Sequence, residues 1–129
     1  MENKRISVVL VGGLGNQLFQ IASAYGISLI QSKKLQAKSN NHNPHSDLDY
    51  FTSIFRKIEK TKLSYVKFIE PSHCFTNKLD IPNLNYNIEM NGFFQNKKYF
   101  NCYKTEIYNI FSIEDWRQKY LLDKIYWFT

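Results

Sequence analysis

The chain has 129 residues, 43% of them hydrophobic and 22% charged, with a formal net charge of +6 from 17 basic and 11 acidic side chains. That length allows one domain with an ordinary core and excludes two Rossmann-like halves. Lysine supplies nearly all the positive charge and is scattered along the chain, with no basic-aromatic motif of an RNA- or DNA-binding module. The balance therefore points to anionic small ligands such as nucleotide sugars, and not to nucleic acid. Aromatic residues make up 16% of the chain; tyrosines suit sugar-handling surfaces, but most of the rings are expected in the core.

Met1 to Arg5 runs directly into a short apolar stretch, too brief for a signal peptide or a transmembrane segment. Two cysteines, Cys74 and Cys102, in separate segments do not make a disulfide framework, and the simplest expectation is a cytoplasmic protein.

Ile6 to Val11 is a β-branched apolar run that predicts a buried strand. Gly12, Gly13 and Gly15 break it, and Asn16 follows. From Gln17 onward the period changes, with Leu18, Ala22, Tyr25 and Leu29 at helical spacing and Ile21 beside them. Strand, glycine loop and helix form the opening unit of a nucleotide- or phosphate-binding α/β domain. Glycines let the backbone approach a ligand, and the first N–H groups of a helix lack internal partners. Gly13 and Gly15 give G-x-G, but Leu18 stands at the third glycine position of the dinucleotide fingerprint, and no Gly-Lys-Ser/Thr follows as in a P-loop. A bare glycine loop can also serve only to turn the chain.

Lys34 to Lys38 offers a short second strand, weakened by Gln36 and Lys38 and followed by a polar loop from Ser39 to Asp47. His42 and His45 in that loop lack further ligands at metal-binding spacing, so no metal is expected. Asp47 to Glu59 predicts a core-facing helix through Leu48, Phe51, Ile54, Phe55 and Ile58. Ser64 to Ile69 alternates as a strand that Glu70-Pro71-Ser72 ends. His73 and Cys74 are chain neighbours that a strand would point to opposite faces, which argues against a catalytic dyad. Asn77 to Asn87 reads as irregular, with Pro82 at its centre and an isolated Asp80.

Ile88 runs into Gly92-Phe93-Phe94 as a strand end turning toward a helix. Gln95 there either lines a pocket at the sheet's carboxyl edge or caps the next helix. Tyr99, Phe100, Tyr103, Ile107 and Ile110 repeat helically. Ser112 to Asp115 has the form of a capping box before a final helix with Trp116, Tyr120, Leu121 and Ile125 as its stripe.

The string GGLGNQLFQIASAYGISL, Gly12 to Leu29, resembles the amino-terminal motif G-G-L-G-N-Q-[LM]-F-Q-[YI]-A of the α1,2-fucosyltransferases, glycosyltransferase family eleven. Gly92, Phe93, Phe94, Gln95, Asn96, Lys98, Tyr99 and Phe100 resemble a second landmark of that family, G-[YF]-[FW]-Q-[SN]-x-K-Y-F. The resemblance implies a Rossmann-like α/β domain with a mostly parallel sheet flanked by helices, like the amino-terminal half of a two-domain GT-B-type glycosyltransferase. The family reaction moves L-fucose from GDP-fucose to the 2-hydroxyl of a galactoside with inversion, with no metal. By the resemblance Gly12, Gly13, Gly15, Asn16, Gln17 and Gln95 are the substrate-binding residues, with Gln17 opening the helix; no catalytic base is carried over.

Family members are roughly twice this length, comparable with two ordinary domains. They carry a later H-x-R-R motif whose arginine is expected to hold the GDP pyrophosphate. This sequence has no such motif, its last arginine being Arg117 in DWRQKY. The expectation is therefore a truncated, amino-terminal domain over residues 1–129. It would act with a separate polypeptide carrying the other half, or be a catalytically inactive fragment that binds sugar nucleotide weakly or not at all. A plain dinucleotide-binding protein is disfavoured by Leu18 and by the lack of an acidic residue ending the second strand.

Overall fold

The computed structural model describes residues 4–39, 50–70, 86–95, 97–113 and 116–127. Four strands and three α-helices lie in it: β1 (Arg5–Leu10), α1 (Leu14–Gln31), β2 (Lys34–Ser39), β3 (Val66–Ile69), β4 (Ile88–Asn91), α2 (Lys104–Ile110) and α3 (Trp116–Trp127). The strands form one sheet in the order β2-β1-β4-β3, and every pairing is parallel. This is an α/β, Rossmann-like arrangement, with a parallel sheet flanked by helices. The polar loop 40–47 with His42 and His45, the His73-Cys74 pair, Asp80, Pro82 and Asp115 lie outside the described residues.

Parallel strands alternate their side chains, and here the two faces differ in kind. Ile6, Val8, Leu10, Ala37 and Met90 join the hydrophobic core with Leu18, Ile21, Ala22 and Ile27 of α1. Helix α1 is buried on more than one side, because it packs on β1 and β2 and also meets residues 97–99, α2 and α3. Among the described residues the rings of Phe55, Phe94, Tyr99, Phe100 and Phe111 are buried in this core, while Tyr86, Phe93 and Tyr120 are exposed. Phe55, Phe94 and Phe100 are among its largest fully buried side chains. Phe55 packs against Phe111 with ring centroids 5.9 Å apart, and Phe94 against Tyr99 at 5.4 Å.

The opposite face is polar. In the register of the sheet Ser7 lies between Gln36 and Glu89, all three buried. A strap of chain, residues 59–65, supplies partners to Gln36 and to Lys38, which in turn pairs with Glu89. The Ser7 hydroxyl is buried and has no hydrogen-bond partner among the described residues. Lys60 of the strap bridges Ala37 at the outer edge of β2, through Ala37 N–H to Glu59 O and Thr61 N–H to Ala37 O, both 2.9 Å. Gln36 then donates to Glu59 at 3.0 Å and accepts from the Tyr65 hydroxyl at 2.6 Å. Lys38 donates to Ser64 at 2.9 Å and pairs with the buried Glu89 at 3.2 Å. The hydrogen bonds that Lys34 and Gln36 donate to Glu59 hold its carboxyl below the usual value of 4.5.

Two expectations are corrected. The described part of the Asp47–Glu59 segment is a 3-10 turn, Tyr50–Thr52, followed by further turns. Its apolar residues Ile54, Phe55 and Ile58 are nevertheless buried. Phe55 N–H and Ser53 N–H both return to the Tyr50 carbonyl, which closes turns instead of propagating a helix. The Ser112 hydroxyl is buried and has no hydrogen-bond partner among the described residues, while its N–H donates to Ile54 O at 2.8 Å. On α3, Tyr120 does not face the core but is 53% exposed, with Lys124 over its ring at 4.8 Å; among the described side chains Leu122 is buried and Leu121 packs partly against the core. The hydroxyl of Tyr108 donates to Asp123 and ties α2 to α3.

Candidate functional site at the carboxyl edge of β1 and β4

Strand β1 ends one residue earlier than its apolar run. Val11 N–H leaves the ladder and donates to Gln20 Oε1 at 3.1 Å, which turns the chain toward α1. Gly12 then adopts φ +81°, a left-handed conformation that favours glycine. A side-chain carbon at Gly12 would also sit 2.5 Å from Asn16 Nδ2, so Asn16 folds directly over this glycine. Gly13 is the N-cap, and α1 opens at Leu14, three residues before the expected Gln17. Gly15, Asn16 and Gln17 thus belong to the first helical turn. Gln17 closes that turn, its N–H donating to Gly13 O at 3.0 Å.

The side chain of Gln17 is spent on the loop. It is 5% exposed and donates to the Gly12 carbonyl at 2.9 Å. By contrast, a carbon added at Gly13 or Gly15 would meet nothing within 4 Å. The space above these two residues is open, and the first turn of α1 carries no acidic residue to fill the field of its N–H groups.

The loop after β4 is brought to the same edge by residues that the motif reading did not single out. Gln20 is fully buried and, besides holding Val11 N–H, donates from Nε2 to the Gly92 carbonyl at 3.0 Å. Ser23, one turn further along α1, donates to the Phe94 carbonyl at 2.9 Å. Phe94 is a non-glycine residue at φ +50°, a conformation that costs on the order of 1 kcal/mol or more. It is fixed there by its buried ring, by Ser23, and by Glu70, whose Oε1 accepts the Phe94 N–H at 3.0 Å. The strained residue aims Gln95 back across the sheet edge, where its Nε2 donates to Asn16 Oδ1 at 2.5 Å.

The structure therefore gathers the expected site residues Gly12, Gly13, Gly15, Asn16 and Gln95 at one edge, with Gln17 beneath them. Gln95 reaches Asn16 across 79 positions. Gln20 and Ser23 were visible in the sequence as polar residues on the apolar side of an otherwise core-facing helix, a signal that marks a buried hydrogen-bonding role. Two described carboxylates on β4 and after β3 are committed: Glu70 accepts from Phe94 N–H and, at 3.5 Å, from the Tyr99 hydroxyl, while Glu89 lies on the other face with Lys38.

Among the described residues no three His, Cys, Asp or Glu side chains group to hold a metal ion, and no helix is long and apolar enough to cross a membrane. Compared with protein-family models, curated proteins and solved structures, the chain matches none.

Proposed function

We propose that this chain is a nucleotide-sugar-binding domain of the α1,2-fucosyltransferase type, the reaction being transfer of L-fucose from GDP-fucose to a galactoside 2-hydroxyl with inversion. The observation that carries the reading is the Asn16–Gln95 hydrogen bond. It joins the two stretches of sequence that resemble the family at the carboxyl ends of adjacent parallel strands, where α/β sheets bind ligands. Gly12 sets the turn and Gln17 holds its shape. The open backbone of Gly13 and Gly15 leaves room for the ligand, and the half-buried amide of Asn16 and the exposed amide of Gln95 offer it donors and acceptors.

A second reading, binding without catalysis by this chain alone, is favoured by the committed carboxylates. An inverting transfer needs a base for the acceptor proton, and among the described residues Glu70 and Glu89 are both engaged elsewhere. In that reading a separate polypeptide supplies the base and the arginines that hold the diphosphate.

Calorimetry with GDP-fucose on this chain and on Asn16→Ala tests the reading. Micromolar binding, about −8 kcal/mol, that is lost in the variant supports it. Absence of heat at millimolar GDP-fucose from folded protein overturns it.

A further inference from the structure

One strand over from the glycine loop, the end of β2 and the strap form an open cavity of about 430 Å³, lined among the described residues by Lys38, Ser39, Lys60, Thr61 and Lys62. Leu10 and Ser39 are register partners, so the cavity belongs to the same carboxyl edge of the sheet as the loop. Three lysines and two hydroxyl residues wall a space within the ordinary range for small-molecule sites. Like charges gathered in a concave site repel one another and concentrate anions.

Lys38 is paired with a carboxylate, whereas Lys60 and Lys62 keep their charge for the cavity. Lys38 is anchored by Ser64 and by Glu89, whose charge it shares. Lys60 lies 5.0 Å from the centre of the Phe51 ring, an interaction that keeps the full charge. Glu59, the carboxylate next to Lys60, is taken by Lys34 at 2.8 Å and by Gln36. The backbone bonds of the strap to Ala37 fix Thr61 between Lys60 and Lys62, and Thr61 is only 8% exposed. Its Oγ1 accepts from Leu63 N–H at 3.1 Å, and a hydroxyl that accepts one bond still has its own hydrogen to donate.

We infer that this cavity is a binding site for a phosphate-bearing small molecule, with Lys60 and Lys62 as its charge contacts and Ser39 and Thr61 as hydroxyl donors. The site does not depend on the fucosyl-transfer reading, since any phosphate-bearing ligand of suitable size would satisfy it.

The test is calorimetry on the full chain with inorganic pyrophosphate and, separately, GDP. The double variant Lys60→Ala/Lys62→Ala is compared with Lys57→Ala/Lys119→Ala, which removes the same charge from exposed sites elsewhere. The expected result is binding of at least one probe, weakened about tenfold or more in the first variant and less than about threefold in the second. Lys62→Glu, a single exposed change that leaves Lys60 on Phe51, serves if the double variant fails to fold; it should weaken binding by a similar factor. Binding of GDP alone would identify the source as a nucleotide, and binding of both probes as the phosphate group itself. No binding of either probe at millimolar concentration, or equal weakening by the cavity and control variants, overturns the assignment. Loss of GDP-fucose binding in Asn16→Ala reads the glycine loop and leaves this result untouched.

Discussion

The side-chain amide of Gln20 joins two loops at once, accepting from Val11 N–H and donating to the Gly92 carbonyl 72 positions away. Both backbone groups sit at the ends of neighbouring parallel strands, where the ladder can no longer satisfy them. Gln20→Ala leaves a donor and an acceptor without their partner and opens a void. The expected cost is about 2 kcal/mol, toward the lower end for two such groups because Val11 and Gly92 are partly accessible to water. Chemical denaturation checks the value; a loss below about 0.5 kcal/mol would mean that water replaces the amide without penalty. Gln20→Glu keeps the acceptor but sets a carboxylate against the Gly92 carbonyl, and is expected to be no milder at neutral pH.

Gly26 lies mid-helix, where alanine is favoured by about 1 kcal/mol. A side-chain carbon there would overlap the Tyr99 carbonyl oxygen and come within 2.9 Å of Phe100 Cα. Both are backbone atoms of residues 97–100, the segment packed on α1, so relief requires α1 and that segment to separate. Gly26→Ala is therefore expected to lose about 2 kcal/mol net of its helical gain. Equilibrium unfolding decides it, and an unchanged or raised stability would show that the two segments are not in contact.

These residues show what local pattern carries and what it does not. The strand-loop-helix unit from Ile6 to Gln31 was legible because one hydrophobic period gives way to another across a run of glycines. Strand β2 was doubtful for a reason that only tertiary structure removes. Gln36 and Lys38 look like poor strand residues until the strap supplies Glu59, Ser64 and Tyr65, and β4 supplies Glu89. The helix expected through Phe51 and Ile58 failed in the opposite way. Its apolar spacing was a true record of burial, but burial in consecutive turns has much the same spacing as burial on a helix. At the site, the motif residues were legible as a set, whereas the Asn16–Gln95 contact depends on the left-handed Phe94, which nothing in the local sequence announces.

The network under the sheet gives stability an acid limb. Lys34 and then Gln36 hold the Glu59 carboxyl below 4.5. A depressed carboxylate contributes stability that is fully present above its ordinary value and is lost as the pH falls through the folded value. Glu59→Gln should therefore flatten the decline in stability below about pH 4.5, while costing little at pH 7. Since the Glu59 side chain is 41% exposed, the effect at neutral pH should stay below about 1 kcal/mol. Thermal melts from pH 3 to 7 on both proteins check this; identical slopes below pH 5 would rule out Glu59 as a contributor.

Gly15 separates the demands of folding from those of the proposed ligand. It lies within the first turn of α1, and a side-chain carbon there touches nothing within 4 Å. Folding alone would thus prefer alanine, and Gly15→Ala should raise stability by about 0.4–1 kcal/mol through reduced freedom of the unfolded chain. If a nucleotide sugar approaches this backbone, the same methyl group occupies its path. GDP-fucose affinity should then fall about tenfold or more while the melting temperature rises. The opposite signs matter, because general damage to the domain would lower both. Unchanged affinity in a stabilised Gly15→Ala protein would place the ligand away from the first turn of α1 and leave Asn16 and Gln95 as a structural pair.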